Sequence, residues 1–446
     1  MKRTYIAILL VMTVLTTWSQ EQEDDTLYFS LSMSLEFAME NNLNAENSRL
    51  EVDIADQRVW ETAALGLPQV DASVNYNYNI NLATTLIPDF LGDPNDQIEV
   101  QFGTKHNATA GFVGNQLIFS GQYIVGLQAA KIFKNFADSN RKRTEQQVRQ
   151  TVTENYYLVL LGENTLEALV GNLNNVKLTY KETSLLYQAG FLEEIDADQL
   201  EVTMTDLENS VLSMERQVVA SRNLLKYQMG LERTKNIILT DSLDELVTRI
   251  DYEAALQADL ILEENLDYKI LSEQEQLAYM DMKLKRTEYL PSLSAFYSMD
   301  FSAQRNEFNF LNSDQNWYKA SLFGLSFNVP IFSSGSRKAG VSQKRIAYEQ
   351  AQNNKDFAEE GIQVEFIQAK YDFANALEKY RSVQKNLELA RKITRVTKKK
   401  YDEGLVSSLE LTQVNDQFLS VLSSYTSTMV EVLNAKIRID VLMNKI

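Results

Sequence analysis

The side chains that most often perform catalysis are scarce in this sequence. Its 446 residues include no cysteine and a single histidine, His106. This composition excludes disulfides, thiolate nucleophiles, and clusters of cysteine and histidine around a metal ion. Two acidic residues at matched positions, Asp196 and Glu410, have the chemistry of the carboxylate pair of a glycosidase. No cleft or third catalytic group accompanies them, so their simplest interpretation is solvated charge, and we expect neither an enzyme nor a cofactor.

The composition also limits the partners and the compartment. A formal charge of −18 argues against binding of nucleic acid, which requires a basic surface. Residues 1–19 have the pattern of an export signal, because Lys2 and Arg3 precede an apolar stretch over residues 6–15 and Ser19 marks a plausible cleavage site. That stretch is too short for a membrane anchor, and the rest of the sequence contains no run of eighteen apolar residues. We therefore expect an exported protein that is not a helical membrane protein.

The sequence contains a duplication, which predicts a repeated fold. Leu43 and Pro68 recur as Leu266 and Pro291, both at an offset of 223. A helical pattern precedes each proline, and alternation of apolar and polar residues follows it, interrupted only by Phe296. The alternating apolar residues are Val70, Ala72, Val74, Tyr76, Tyr78, Ile80 and Leu82, then Leu293, Ala295, Tyr297, Met299 and Phe301. A period of two predicts strands with one face in an apolar medium and the other in water.

The distribution of proline predicts very long helices. No proline occurs over residues 98–290 or after Pro330, and proline would break the interior of a helix. We predict long helices over about 122–188 and 337–402, the first of which would be roughly 100 Å long at 1.5 Å per residue. Shorter helices are predicted over about 194–230 and 408–444. Apolar residues at alternating steps of three and four indicate that these helices pack side by side, as in a coiled coil.

Four strands are predicted, and they cannot close a barrel alone. They lie at about 69–82, 105–119, 291–303 and 317–332, with loops over 83–104 and 304–316. Strands of this length suffice to cross a membrane when tilted. About eight strands are the practical minimum for a barrel, and unpaired strand edges are prohibitive in lipid. If the strands span a membrane, several chains must share one barrel, and three chains would supply twelve strands.

Matched turns end the two long helices. The first reads Tyr187-Gln188-Ala189-Gly190-Phe191-Leu192 and the second reads Tyr401-Asp402-Glu403-Gly404-Leu405-Val406, at an offset of 214. Both glycines stand where a helix stops, which is the usual place for a left-handed residue. Further markers are the entries to the strands and the exits from them: Leu67-Pro68, Leu290-Pro291, 117–121 and 330–335. This set, in this order and present twice, resembles the TolC-like outer-membrane efflux proteins over essentially the whole mature chain.

The resemblance implies an architecture and a set of partners. It implies a homotrimer with a shared twelve-stranded barrel in the lipid of the outer membrane, continued by a tunnel of twelve helices through the periplasm. A periplasmic adaptor protein would meet the turns at the tip of the tunnel and link the channel to an inner-membrane pump. The residues of the turns that would dock the adaptor are Gly190, Phe191, Leu192, Gly404, Leu405 and Val406.

The resemblance also implies a pore constriction near the tip. Its residues in this chain are Asp196, Gln199, Glu410, Gln413, Tyr187 and Tyr401. Gln199 and Gln413 stand where members of the family can carry a second aspartate. Leu192 and Val406 occupy positions that include a gating arginine there. A closed state of this chain would therefore be stabilised by packing and by the two tyrosines rather than by interactions between charged side chains.

The predicted fold class is mainly α with transmembrane β. A duplicated helix–strand–strand–helix unit, with repeats at 20–252 and 253–446 in one domain, would supply four strands to a trimeric 12-stranded β-barrel and continue as a long α-helical periplasmic tunnel. The predicted function is passive passage of substrates from an inner-membrane pump in a tripartite efflux or secretion system. The alternative is a secreted or surface coiled-coil binding protein such as an adhesin stalk, which the alternation after Pro68 disfavours. A periplasmic hydrolase ranks third, because no nucleophile, base or metal cluster is found.

Overall fold

The structure is a computed structural model of the chain, and it describes residues 26–88, 97–312 and 314–446. The predicted export signal at 1–19 and part of the predicted loop at 83–104 lie outside the described residues. The chain divides into two compact units. Of the described residues, the helical unit comprises 26–42, Val148–Asp251 and Asn375–Asn434, and the sheet unit comprises those of Leu43–Gln147, Tyr252–Ala374 and Ala435–Ile446.

The elements alternate between long helices and short groups of strands. In chain order they are β1 (Thr26–Phe29), α1 (Leu31–Asn41), α2 (Leu43–Ala64), β2 (Gln69–Tyr78), β3 (Thr84–Pro88), β4 (Gln97–Gln101), β5 (His106–Ser120), α3 (Gly121–Gln188), α4 (Glu194–Met229), β6 (Asn236–Leu239), α5 (Leu243–Thr248), α6 (Tyr252–Gln257), α7 (Leu266–Arg286), β7 (Ser292–Arg305), β8 (Tyr318–Asn328), α8 (Ser336–Asp402) and α9 (Ser408–Leu442). None of the helices in the described ranges has both the length and the apolar character needed to cross a membrane.

An antiparallel sheet of four strands, in the order β2-β5-β7-β8, forms the centre of the sheet unit. Its register places Val70 beside Gly114, Gly114 beside Tyr297, and Tyr297 beside Phe323. Side chains directly opposite one another lie on the same side of a sheet, and every second residue follows them. We call this side the apolar face; it carries Val70, Ala72, Val74, Tyr76, Tyr78, Ala108, Ala110, Phe112, Leu293, Ala295, Tyr297, Met299, Phe301, Phe323, Leu325 and Phe327.

The opposite side of the sheet, which we call the polar face, carries mostly Asn, Ser, Thr and Asp side chains. Phe296, which interrupts the alternation of the sequence, lies on this face opposite Gly324. A Cβ atom at Gly324 would collide with the Phe296 ring, so the glycine makes room for the ring to lie against β8. The interruption is therefore accommodated within the sheet and does not change its register.

The predicted loop over 83–104 contains a hairpin that the sequence interpretation did not include. β3 and β4 pair antiparallel, with Thr84 opposite Gln101 and Ile87 opposite Ile98. β-branched and apolar residues in both segments favour extended pairing, and the strands are close in sequence, so the pairing needs no distant partner. Pro88 is the last residue of β3, where it pairs with Gln97, and proline is tolerated at such an end of a strand. Pro94 lies outside the described residues.

The helical unit has its own core along α3 and α4. Leu173 and Val176 of α3 are buried against Leu200, Leu207 and Val211 of α4. This spacing is the seam that the steps of three and four indicated. Burial of each such side chain stabilises the pair by about 1.5–3 kcal/mol relative to exposure, so the wall of the unit is held along several turns.

A small parallel sheet, β1 with β6, also lies in the helical unit. The fully buried Tyr156 donates its hydroxyl to Phe29 O at 3.0 Å and to Asp241 Oδ2 at 2.9 Å. The same carboxylate oxygen accepts from the Leu31 N–H at 2.7 Å. Burial and the hydrogen bond to Asp241 raise the pKa of Tyr156 above its ordinary range, which keeps the phenol in its donor form. The sequence interpretation did not include this sheet.

Candidate pore constriction and docking turns

Both long helices end in the same backbone motif. Gly190 has φ of 80° and Gly404 has φ of 74°, so both residues are left-handed. The Gly190 N–H donates to Tyr187 O at 2.8 Å, and the following N–H donates to Leu186 O at 2.9 Å. The second turn repeats this pattern, from Gly404 to Tyr401 O at 2.9 Å and from the next residue to Lys400 O at 2.8 Å. This pair of bonds is the Schellman motif, which satisfies carbonyls that the helix end would otherwise leave unpaired.

The positive φ, not a lack of space, explains the two glycines. A Cβ atom at either Gly190 or Gly404 would meet nothing within 4 Å. Only glycine adopts the left-handed conformation at no steric cost. The backbone of each turn therefore depends on a single residue whose side-chain position faces open space.

The helices that follow the turns begin differently. Ser407 Oγ accepts the Glu410 N–H at 3.3 Å and so caps the start of α9. The corresponding residue before α4 is Glu193, and its side chain makes no capping hydrogen bond. Ser407 was not among the predicted site residues, although Ser-x-x-Glu is the sequence pattern of a capping box. The sequence therefore carried a signal for this residue.

The two tyrosines that precede the glycines have different surroundings. The Tyr401 hydroxyl lies 3.0 Å from Thr183 Oγ1, which joins α8 to a fully buried residue of α3. Lys398 Nζ lies 5.6 Å from the centre of the Tyr401 ring and 2.9 Å from Asp402 Oδ1. Tyr187 is 38 % exposed, and its hydroxyl makes no hydrogen bond to the described residues. Thr183, Lys398 and Asp402 were not predicted as site residues.

A cavity of about 610 Å³ lies between the two turns. From the first turn and its flanking helices it is lined by Glu182, Leu185, Leu186, Leu192 and Asp196, and from the second by Tyr401, Asp402, Gly404, Val406, Ser407 and Ser408. The cavity thus brings together five predicted site residues from both repeats. Its wall combines leucine side chains with three carboxylates.

The remaining predicted residues lie outside this cavity. Asp196 is half-buried in the cavity wall, whereas Glu410, Gln199 and Gln413 are exposed. Phe191 and Leu405, each next to a turn glycine, are 77 % and 68 % exposed. One protomer therefore does not gather Asp196 and Glu410 around a common ligand; each presents its carboxylate separately.

The electrostatics of the turns are mainly acidic. The hydrogen bond to Asp402, with the nearby charge of Glu182, raises the pKa of Lys398 above its ordinary range. Asp196 makes no ion pair with any residue of the described ranges. No group of three His, Asp or Glu side chains in those ranges is placed to hold a metal ion. The arrangement is suited to attracting cations and to making apolar contacts.

One family model matches most of the second half of the chain. Residues 253–445 match the model of the outer membrane efflux protein family. No curated protein matches the sequence.

Solved structures match nearly the whole chain. The outer-membrane channel CmeC of Campylobacter jejuni matches with a TM-score of 0.75 at 16 % identity, covering 93 % of this chain and 85 % of that one. The outer membrane protein VceC of Vibrio cholerae matches with a TM-score of 0.70 at 11 % identity, covering 93 % and 95 %. The open state of the outer-membrane channel MtrE of Neisseria gonorrhoeae matches with a TM-score of 0.68 at 14 % identity, covering 93 % and 88 %.

These matches decide the fold class. The predicted resemblance to the TolC-like outer-membrane efflux proteins is confirmed, and so is the predicted fold of the chain, mainly α with a sheet of four strands. The alternative of a coiled-coil binding protein has no support in them. The roles of the individual turn residues stay predictions.

Proposed function

We propose that this chain, which matches the outer membrane efflux protein family over residues 253–445 and has the fold of outer-membrane channels, is the passive exit duct of a tripartite efflux or secretion system. It lies in the outer membrane and continues as a helical tunnel in the periplasm. The observation that carries this function is the four-stranded sheet with one apolar and one polar face. A membrane barrel around an aqueous lumen needs this division.

Closure of the barrel requires more than one chain. β2 and β8 are the outer strands of the sheet, and each has one edge that pairs with no other strand in the described part of the protomer. In lipid each unpaired backbone group costs several kcal/mol, so open edges do not persist there. Three copies, with β8 of one beside β2 of the next, remove every edge and give twelve strands.

The surface of α8 supports association with a second copy. Phe357, Val364, Ile367 and Tyr371 are all more than half exposed, with Phe357 at 83 %. Their spacing of seven, three and four places them on one side of the helix. A large apolar stripe of this kind marks a protein–protein contact, and neighbouring protomers of the trimer are its natural partners.

Transport through this duct is passive. The polar face of the sheet lines the lumen with amide and hydroxyl groups and with Asp71 and Asp300, so water and solutes pass without a bound intermediate. An inner-membrane pump supplies the energy and selects the substrate. The chain itself contributes a rigid wall and a gate.

The gate of this proposal lies at the turns. Three copies of Asp196 and Glu410, with Gln199 and Gln413, narrow the lumen and favour cations, and Tyr187 and Tyr401 fill the space between neighbouring helices. The half-buried position of Asp196 and the exposed position of Glu410 support this assignment, because both carboxylates reach solvent.

The turns themselves form the docking surface for a periplasmic adaptor. Phe191 and Leu405 project from the two Schellman motifs and are mostly exposed. Gly190 and Gly404 set the direction of the chain at these points, and Leu192 and Val406 line the adjoining cavity. Apolar side chains held on a defined backbone are suited to packing against a helical hairpin of a partner.

The test is the oligomeric mass of the mature chain extracted from outer membranes, followed by conductance in a planar bilayer. We expect a trimer that forms water-filled pores, and a loss of cation preference in the double variant Asp196→Asn with Glu410→Gln. Asp71→Asn, which alters a lumenal carboxylate of the barrel, is the matched control for the position of the constriction. A soluble monomer would contradict the duct, whereas a trimer whose selectivity does not change would contradict only the assignment of the constriction.

A further inference from the structure

The apolar face of the sheet carries charge at one end only. Of the residues in the four strands whose register places them on this face, two are charged, Arg305 and Lys319, and both are basic. Both lie toward the loop between β7 and β8, away from the ends where α3 and α8 begin. The acidic residues of the four strands, Asp71 and Asp300, lie on the polar face. Charge is thus segregated by sign between the two faces.

The Arg305 side chain is hydrogen-bonded to the loop that follows it. Its side chain is buried, and it donates to Asn309 O at 2.6 Å, to Asn309 Oδ1 at 2.9 Å and to Asn316 O at 3.3 Å. The guanidinium also lies 5.0 Å from the centre of the Phe310 ring. These contacts hold the loop over the end of the sheet and leave Arg305 with little capacity for another ligand.

Lys319 has no such contacts. It is exposed, pairs across the sheet with Phe301, and forms no ion pair with any residue of the described ranges. No carboxylate shares its face in the four strands, and the edge strand of the next protomer, β2, brings only apolar and tyrosine side chains to that face. A lone cation on a surface that contacts lipid is unfavourable unless it reaches an anionic group at the interface.

An aromatic cluster lies beside this cation. We define the loop-end aromatic cluster as Tyr76, Tyr78, His106, Phe308, Phe310 and Trp317, which form a continuous set of ring contacts with centroid separations of 4.9–6.1 Å. The Tyr76 hydroxyl lies 2.8 Å from His106 Nδ1. Tyr78 and Phe308 are 53 % and 63 % exposed. The cluster therefore offers open ring faces together with hydroxyl and imidazole groups.

The distance from Lys319 to the far side of the cluster, at His106, limits which ligand can contact both. His106 is opposite Arg305 in the register, and Lys319 is opposite Phe301, four residues further along β7. Four residues of a strand correspond to about 13 Å. Trp317 of the cluster precedes Lys319 by only two residues, so the span is set by His106 at the far side of the cluster. A ligand that covers the cluster from Lys319 to His106 must be longer than a glycerophospholipid headgroup, must carry a negative charge, and must present flat surfaces to aromatic rings.

We propose that Lys319 and the loop-end aromatic cluster bind the phosphorylated sugar headgroup of an outer-leaflet glycolipid. A phosphate of the glycolipid pairs with the Lys319 ammonium, and its sugar rings lie against the exposed aromatic faces. This inference rests on the proposed function, because the orientation of the barrel places this end of the sheet in the outer leaflet. The other end of the sheet leads directly into α3 and α8, which the proposed function assigns to the periplasm.

The experiment is native mass spectrometry of the full mature protein in detergent, titrated with three probes. The probes are bisphosphorylated lipid A, the same lipid A without phosphates, and phosphatidylglycerol. The variant Lys319→Gln removes the charge and Lys319→Arg retains it. Lys338→Gln is the matched control, because Lys338 is an exposed lysine in the first turn of α8, beyond the other end of β8.

We expect bisphosphorylated lipid A to bind up to three per trimer, and both other probes to bind more weakly. Loss of one surface cation corresponds to about a five-fold loss of affinity per site, so Lys319→Gln should show this loss while Lys319→Arg and Lys338→Gln do not. Equal binding of phosphatidylglycerol, equal binding of lipid A without phosphates, or no effect of Lys319→Gln would each overturn the proposal. The comparison of probes on the unaltered protein decides the question even if a variant fails to assemble.

The same spectra separate this inference from the proposed function. A trimer that retains no lipid A overturns the glycolipid site alone. A protomer mass in place of the trimer overturns the shared barrel, and the site falls with it.

Discussion

The two turns of the helical unit share a backbone but differ in how firmly their surroundings hold them. Gly190 and Gly404 have nearly the same φ and the same pair of hydrogen bonds. The second turn is held further by the Ser407 cap and by the bond from Tyr401 to Thr183 of α3. The first turn has no side-chain cap, and the Tyr187 hydroxyl has no partner among the described residues. A sequence repeat can thus conserve a backbone conformation while the side chains around it set its rigidity. We infer that the first turn opens more readily than the second.

Replacement of the turn glycines gives the largest expected effect and tests the shared backbone. Gly190→Val and Gly404→Val each place a β-branched residue at a positive φ, and each should lower the free energy of unfolding by about 1–3 kcal/mol. The two losses should be equal, because the φ angles are nearly the same and a Cβ atom at either position meets nothing within 4 Å. Thermal unfolding of the purified trimers measures both.

Gly361→Ala is the control for this pair. Gly361 lies inside α8, and a Cβ there also meets nothing within 4 Å. Alanine at a helical position should stabilise by about 0.5–1 kcal/mol. A loss at Gly404 much larger than at Gly190 would break the claim that the two backbones are equivalent.

The tyrosine variants should separate the turns. Tyr401→Phe removes the partner of the buried Thr183 hydroxyl and should cost about 1.5 kcal/mol in local stability. Tyr187→Phe removes a hydroxyl that has no partner among the described residues and should cost close to nothing. Hydrogen exchange of peptides that cover residues 187–196 and 398–411, which leave out Thr183, reports each turn separately. If the two variants show equal protection from hydrogen exchange, the bond of Tyr401 does not make the second turn more stable than the first.

Much of the fold follows from local patterns in the sequence. The alternation after Pro68 and Pro291 predicted the two faces of the sheet, because a period of two describes a strand whatever its partner is. The turn glycines were found for the same reason, since a helix end with a left-handed residue is a local event. Ser407 also had a local signal, in the capping pattern that ends at Glu410.

Contacts between distant segments had no such signal. The pair of Tyr401 and Thr183 joins residues 218 apart, and β1 pairs with β6, about 210 residues away in sequence. Four residues in each of these strands are too few to show a period. The aromatic cluster likewise depends on Phe308 and Phe310 folding back from the loop onto β2 and β5, which no spacing in the sequence specifies.

Exchange of the helix caps should make the stabilities of the two turns more alike. Ser407→Ala removes the cap of α9 and should cost about 1 kcal/mol. Glu193→Ser supplies a cap to α4, which begins at Glu194, and should stabilise the first turn by a similar amount. Hydrogen exchange of the first turns of α4 and α9 measures the shift. If Glu193→Ser brings no added protection there, the missing cap does not explain the weaker turn.

A pH titration gives the smallest expected effect and concerns the second turn alone. The bond to Asp402 raises the pKa of Lys398, so the folded protein holds this proton more tightly than the unfolded chain. The stabilisation is complete at pH values below the ordinary pKa of lysine and is lost as the pH rises above about 10.4. Both side chains are more than a third exposed, so solvent screening limits the contribution to about 0.3–0.5 kcal/mol. The hydrogen-exchange rate of residues 398–411, corrected for the intrinsic rate, should therefore rise modestly between pH 9 and pH 11. The variant Lys398→Gln should show a smaller rise. Gln188 is the counterpart of Asp402 in the first turn, and no lysine of the described residues pairs with it, so an equal rise at residues 187–196 would show that general alkaline loosening, and not this ion pair, is responsible.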